Sequence, residues 1–191
     1  MTIQQELNSL WAPTKVETGP VPALGQQAPS TERLPILSFG GKPTVVTFLR
    51  HCGCPFAEKT FISLRKTAED HPDMRFIAVS HSDRESTDKW LRAVGGADQV
   101  SVIVDSDREL FGRWGLGVSG YWHMMHPASM WTAVRLGREE NIWNRPTESG
   151  SRWQTSGSFA VDGEGKVKWG GAAPRADYIP SFEEAVESVS K

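Results

Sequence analysis

The chain has 191 residues, 38% of them hydrophobic, and a formal charge of -2 at neutral pH. That length suits one domain with a substantial core, and the charge balance gives no reason to expect nucleic acid or an anionic membrane as partner. No apolar run approaches the ~20 residues that span a bilayer. Residues 1–7 lack the basic start and apolar stretch of a signal peptide, so a cytoplasmic protein is expected.

In chain order, residues 1–43 read as an amphipathic helical start followed by an irregular segment, because Pro13, Pro20, Pro22, Pro29, Pro35 and Gly40-Gly41 interrupt it too often for a long element. A regular alternation follows. Residues 44–49 are β-branched and apolar, as in a buried strand. From Pro55 the period changes: Ala57, Phe61, Leu64 and Ala68 recur at the spacing of a helix with one buried face, over about 55–69. Asp70-His71-Pro72-Asp73 breaks that helix before a strand at 74–80. A helix at about 85–94 stops at Gly95-Gly96, and a strand at 100–104 leads to a short helix at 108–114. Residues 116–155 interrupt the alternation with Pro, Gly, Ser and Trp, leaving one short helix around 128–136. Six of the eight tryptophans fall between Trp114 and Trp169. Trp114 and Trp169 read as core; Trp122, Trp131, Trp143 and Trp153 suit a ligand pocket or a subunit interface. Strands at 158–162 and 166–169, joined by Gly163-Glu164-Gly165, read as a hairpin. Ser181 with Glu184 forms a capping box for a last helix at 182–189. Strand–helix alternation closed by a hairpin and a helix implies a mixed α/β sheet covered on both faces.

The chemistry concentrates at Cys52-Gly53-Cys54-Pro55, where the first strand gives way to a helix, and these two cysteines are the only ones. A thiol there lies among unpaired N–H groups at the positive end of a helix dipole, which stabilises thiolate over thiol. Two small core residues are the alternative; the intervening Gly and the Pro at the first helical position favour reactivity. In a reducing compartment a close pair suits catalysis better than a structural staple. Cys52, Cys54, His51, His123 and His126 also offer S and N metal ligands, but the two groups lack the paired spacing of a zinc site, so neither a metal nor another cofactor is expected.

With its neighbours, Phe48-Leu49-Arg50-His51-Cys52-Gly53-Cys54-Pro55-Phe56-Ala57-Glu58 resembles the Arg-His-x-x-Cys-x-x-Cys segment of the peroxiredoxin-like 2 group, within the alkyl hydroperoxide reductase and thiol-specific antioxidant superfamily. Residues 151–162 and 165–169 are similar to the returning hairpin of that group. The resemblance covers roughly residues 25–190 and implies a thioredoxin-like, peroxiredoxin-type fold. It assigns Cys54 to the nucleophilic position. Ala57 stands where the second cysteine belongs, His51 stands at the Thr/Ser place of the standard peroxiredoxin signature, and Thr47 stands at its Pro.

On this resemblance the protein is a thiol-dependent peroxidase or oxidoreductase, with a homodimer as its expected assembly. Cys54 attacks a hydroperoxide and becomes a sulfenic acid. Arg50, a fixed charge, or His51, which can change protonation near neutral pH, stabilises the thiolate and hydrogen-bonds the peroxide. Glutathione, thioredoxin or Cys52 regenerates the thiol, the last through a strained Cys-Gly-Cys disulfide. A competing reading moves function to the insert, where Tyr121, Trp122, His123, His126, Trp131, Arg152 and Trp153 would bind or transform an organic, secondary-metabolite-like molecule.

Overall fold

The computed structural model describes residues 14–38, 40–120 and 127–190. Five strands form one sheet in the order β3-β2-β1-β4-β5. They are β1 (Thr44–Phe48), β2 (Arg75–Ser80), β3 (Val100–Val104), β4 (Gly157–Val161) and β5 (Val167–Ala172). β1 lies parallel to β2, with Thr44 opposite Arg75 and Phe48 opposite Val79, and antiparallel to β4, with Phe48 opposite Gly157. β2 pairs in parallel with β3, and β4 with β5 as an antiparallel hairpin. The helices are α1 (Pro55–Asp70), α2 (Arg84–Ala93), α3 (Glu109–Arg113), α4 (Pro127–Glu140) and α5 (Phe182–Val189).

Alternation along the strands makes two cores. Val45, Phe76, Ala78 and Ala160 face a layer containing Phe61, Leu64 and Ala68 of α1, Trp90 of α2 and Phe182, Ala185 and Val186 of α5. Val46, Phe48, Ile77, Val79, Phe159 and Val161 face the opposite layer, closed by Leu110, Phe111 and Trp114 and by Leu34 and Ile36 of the N-terminal arm. The irregular reading of that arm holds over its described part, where Ile36–Ser38 form only a short 3-10 helix. The helical start expected at the N-terminus lies outside the described residues. Trp114 is fully buried, and Trp169 packs at the edge of the first core.

The elements expected from residue 44 onward appear within a few residues of their anticipated limits, and the last helix is capped by Ser181 Oγ accepting from the Glu184 N–H at 3.3 Å. The helix anticipated at 128–136 is longer, running to Glu140 as α4. Among the described residues no helix is long and apolar enough to cross a membrane. β1 is the central strand, and its carboxyl end delivers the chain into Arg50-His51-Cys52-Gly53-Cys54, at the edge where open α/β sheets place their chemistry.

Candidate active site

Cys54 caps α1 with extended backbone (φ -83°, ψ 126°), and its carbonyl accepts the first helical hydrogen bond, from the Glu58 N–H at 3.2 Å. Pro55 follows at the first helical position, where its missing N–H costs nothing. The Cys54 side chain makes no capping hydrogen bond and is 5% exposed. It opens into a cleft of about 480 Å³ with Arg50, His51, Pro55, Phe56, Ser129, Met130, Ala133, Asn144 and Arg152 on its walls.

Arg50 is buried, 7% exposed. One of its terminal nitrogens donates to the Arg152 carbonyl at 2.8 Å, its Nε has no hydrogen-bond partner, and it forms no ion pair with a described carboxylate. A buried cation without a counter-charge is costly, so this guanidinium is built to meet an anion in the cleft. His51 does not share that duty. Burial, with the cationic Arg50 beside it, pushes its pKa well below the ordinary imidazole value. Its Nδ1 accepts the Gly53 N–H at 3.2 Å, which leaves the proton of the neutral ring on Nε2. Of the two groups expected to support the thiolate by charge, only Arg50 is a cation at neutral pH; His51 is a neutral hydrogen-bonding group.

Cys52 takes the opposite side of the turn. Its thiol donates toward Thr87 Oγ1 at 3.8 Å and lies 3.6 Å from Ser80 Oγ, and its backbone N–H donates to Ser82 Oγ at 3.2 Å. Burial raises its pKa, opposed in part by those hydroxyls. Its cavity is separate, about 170 Å³, and is bounded by Trp90, Lys89, Arg145, Pro146 and Glu148 among others. Both cysteines are free thiols.

A strap of residues 144–153, within the aromatic-rich insert, lies on the turn and lines both cavities, with Asn144 and Arg152 on one and Arg145, Pro146 and Glu148 on the other. The Arg145 N–H donates to the Gly53 carbonyl at 3.0 Å. A Cβ on Gly53 would stand 2.7 Å from the Arg145 carbonyl oxygen and 2.9 Å from Thr147 Oγ1, so glycine is required there for contact rather than for backbone angle. Further along, Ser82 Oγ donates to the Ser149 carbonyl at 3.1 Å and the Ser151 N–H donates to His81 Nε2 at 3.1 Å. Burial, only partly opposed by backbone hydrogen bonding at Ser151 and Leu49, lowers the His81 pKa to about 4. His81 and the pairing of Glu58 with Arg145, a residue the insert offered only as a ligand anchor, leave no local pattern in the sequence, because their partners lie 70 and 87 residues away.

The insert residues divide. Arg152 lines the Cys54 cleft. Trp131, anticipated as a binding residue, is 69% exposed, and its neighbour Met130 lines the cleft instead. Trp153 is half-buried and lies in the strand-like contact where its carbonyl accepts from the Ser119 N–H. Tyr121, Trp122, His123 and His126 lie outside the described residues. The insert is therefore no remote site: through Ser129, Met130 and Ala133 of α4 it forms one wall of the thiol cleft.

The sequence model of the AhpC/TSA antioxidant enzymes matches residues 62–174, more than half of the chain. The chain belongs to the AhpC/TSA antioxidant enzyme family. It is accordingly a thiol-dependent oxidoreductase of the peroxidase class. The match begins inside α1, beyond Cys52 and Cys54, so the roles of these thiols rest on the geometry above. No curated protein sequence matches significantly. Among solved structures, an AhpC/TSA-like fold is shared with a peroxiredoxin-like protein from Aquifex aeolicus, at 16% identity and a TM-score of 0.59 over 91% of this chain and 89% of that one. A thiol peroxidase from Chromobacterium violaceum aligns at 15% identity and TM-score 0.57 over 89% and 87% of the two chains. Reduced Prx3 from Vibrio vulnificus in complex with hydrogen peroxide aligns at 17% identity and TM-score 0.54 over 86% and 97%. At these identities the likeness establishes the fold.

Proposed function

We propose that this AhpC/TSA protein reduces hydroperoxides with Cys54 as its nucleophile and an external thiol as its reductant. The observation that carries the reading is Arg50, a buried cation with no described carboxylate partner, on the wall of the cleft that holds the Cys54 thiol at the positive end of α1. Guanidinium and helix N-terminus favour the thiolate together. The Cys54 sulfur attacks the terminal oxygen of the hydroperoxide, an S–O bond forms as the O–O bond breaks, and the departing alkoxide takes a proton from water, its developing charge stabilised by the Arg50 guanidinium and hydrogen-bonded by the neutral His51 ring on the cleft wall. Cys54 is left as the sulfenic acid. A thiol such as glutathione or thioredoxin then displaces water to give a mixed disulfide, and a second thiol releases Cys54 and the oxidised reductant.

Cys52 is not the resolving thiol in this reading, since it faces a different cavity and burial keeps it protonated. The wall of Phe56, Met130 and Ala133 suits an organic group on the peroxide, which joins the thiol chemistry and the insert in one site. A homodimer and a cytoplasmic location complete the proposal. Exposed Met130, Trp131, Val134 and Trp143 supply apolar surface for the dimer, and sedimentation at rising concentration tests it.

The deciding experiment follows consumption of cumene hydroperoxide with glutathione or thioredoxin as reductant in wild type, Cys54→Ser and Cys52→Ser. Activity is expected to vanish in Cys54→Ser and to persist in Cys52→Ser. Turnover that survives Cys54→Ser overturns the assignment.

A further inference from the structure

Glu58 sits in the first turn of α1, four residues after Cys54, with its side chain only 7% exposed. Its backbone N–H donates to the carbonyl of the capping Cys54 at 3.2 Å, so both residues belong to the same opening turn. The carboxylate and the Cys54 thiolate thus draw on the same positive helix end, in a place where solvent screens them poorly. Left alone, a buried anion there would oppose formation of a second.

Arg145 cancels it. Its Nε donates to one Glu58 carboxylate oxygen at 2.7 Å and a terminal nitrogen donates to the other at 2.9 Å, the paired geometry in which guanidinium holds carboxylate most firmly. The same residue is fixed to the cysteine turn through its backbone, whose N–H donates to the Gly53 carbonyl. The other groups around Cys54 are Arg50 and His51 from its own turn and Arg152 from the strap, while α4 presents Ser129, Met130 and Ala133 to the cleft and no ionisable side chain. Behind that wall Asp177 accepts from Ser129 Oγ at 2.9 Å and is paired with Arg175, so Glu58 is the anion of the first turn of α1 and Arg145 is its partner.

We propose that Arg145 is a positioning residue for the peroxidase reaction, one that neutralises Glu58 within the first turn of α1 and so reserves the positive helix end for the Cys54 sulfur. This rests on Cys54 being the nucleophile. It adds a function for an ion pair that otherwise reads as a tie between strap and helix.

The test is the pH profile of Cys54 alkylation by iodoacetamide, resolved by mass from Cys52, in wild type, Arg145→Gln, Arg145→Lys and the double variant Glu58→Gln/Arg145→Gln. Arg145→Gln is expected to slow labelling at pH 7 by about tenfold and to move the half-maximal pH upward by about one unit. Arg145→Lys keeps the charge and lies close to wild type. The double variant, which lacks the clamp and also lacks the carboxylate, returns toward the wild-type midpoint. A double variant displaced as far as Arg145→Gln overturns the inference, because the pair then acts only by holding the strap. A wild-type Cys54 that labels no faster than an ordinary thiol at neutral pH contradicts the nucleophile assignment itself, a different and recognisable failure.

Discussion

Cys52 and Cys54 are two residues apart and occupy opposite chemical surroundings. Cys54 stands at the N-terminus of a 16-residue helix, opens into the larger cleft and shares it with an uncompensated guanidinium. Cys52 is held among the hydroxyls of Ser80 and Thr87 in a smaller cavity, and its burial favours the neutral thiol. The difference comes from the strap, which packs on Gly53 and turns the two side chains into separate compartments. Proximity in sequence is thus a poor guide to redox partnership. What decides the fate of each sulfur is the charge and the cavity it faces.

The contrast breaks most sharply at Arg50. Arg50→Met removes the cation from the Cys54 cleft and is expected to lower kcat/KM for cumene hydroperoxide roughly 10²- to 10³-fold. Labelling of Cys52 stays unchanged, and an equal loss at both thiols would mean that the substitution had simply loosened the turn.

Acid attacks the strap that keeps the compartments apart. The folded-state pKa of His81 is lowered from 6.5 to about 4, and His51 is lowered in the same direction. Between those values the unfolded chain takes up protons that the folded chain refuses. The contribution of neutral His81 is therefore complete above pH 6.5 and is lost as pH falls toward 4, about 3 kcal/mol for His81 alone. Asp105, raised to about 6 chiefly by burial, takes up its proton in the folded state within this window and offsets part of the His81 slope, whereas Asp107 is shifted downward and titrates below the window. Urea titrations across the range should show this slope, flattened in His81→Asn; an unaltered slope in the variant removes His81 from the account.

Gly53→Ala tests the septum itself. Its Cβ would press on the Arg145 and Pro146 carbonyls and Thr147 Oγ1, at 2.7, 3.0 and 2.9 Å, and the strap must shift to admit it. A stability loss of about 1–3 kcal/mol is expected, together with a Cys52–Cys54 disulfide under mild oxidation that wild type does not form. A variant as stable as wild type would show that the strap does not bear on the turn. The smallest effect belongs to Thr87→Val, which removes the acceptor for the Cys52 thiol and should cost about 1 kcal/mol while leaving Cys54 kinetics untouched.

Much of this was legible in the chain. β-branched residues 44–49, the change of period after Pro55 and the glycine stop at 95–96 define β1, α1 and the end of α2 through interactions only a few residues long. The same locality revealed Cys54 at a strand–helix junction. The strap was not legible, because Arg145 finds Glu58, Ser149 finds Ser82 and Ser151 finds His81 across more than sixty residues, with no periodicity to betray them. Aromatic content was also a partial guide. Trp90 and Trp114 are core, whereas Trp131 and Trp143 point largely to solvent, and composition cannot tell which side of a helix or loop a ring will take.

The most direct test of the two-compartment account is intact mass spectrometry of the reduced protein after one equivalent of cumene hydroperoxide, with dimedone present and no added thiol. The account predicts one dimedone adduct per chain, mapped to Cys54, with Cys52 remaining a titratable thiol. A product that has instead lost two hydrogens, carrying a Cys52–Cys54 disulfide formed faster than dimedone can trap the sulfenic acid, would contradict it.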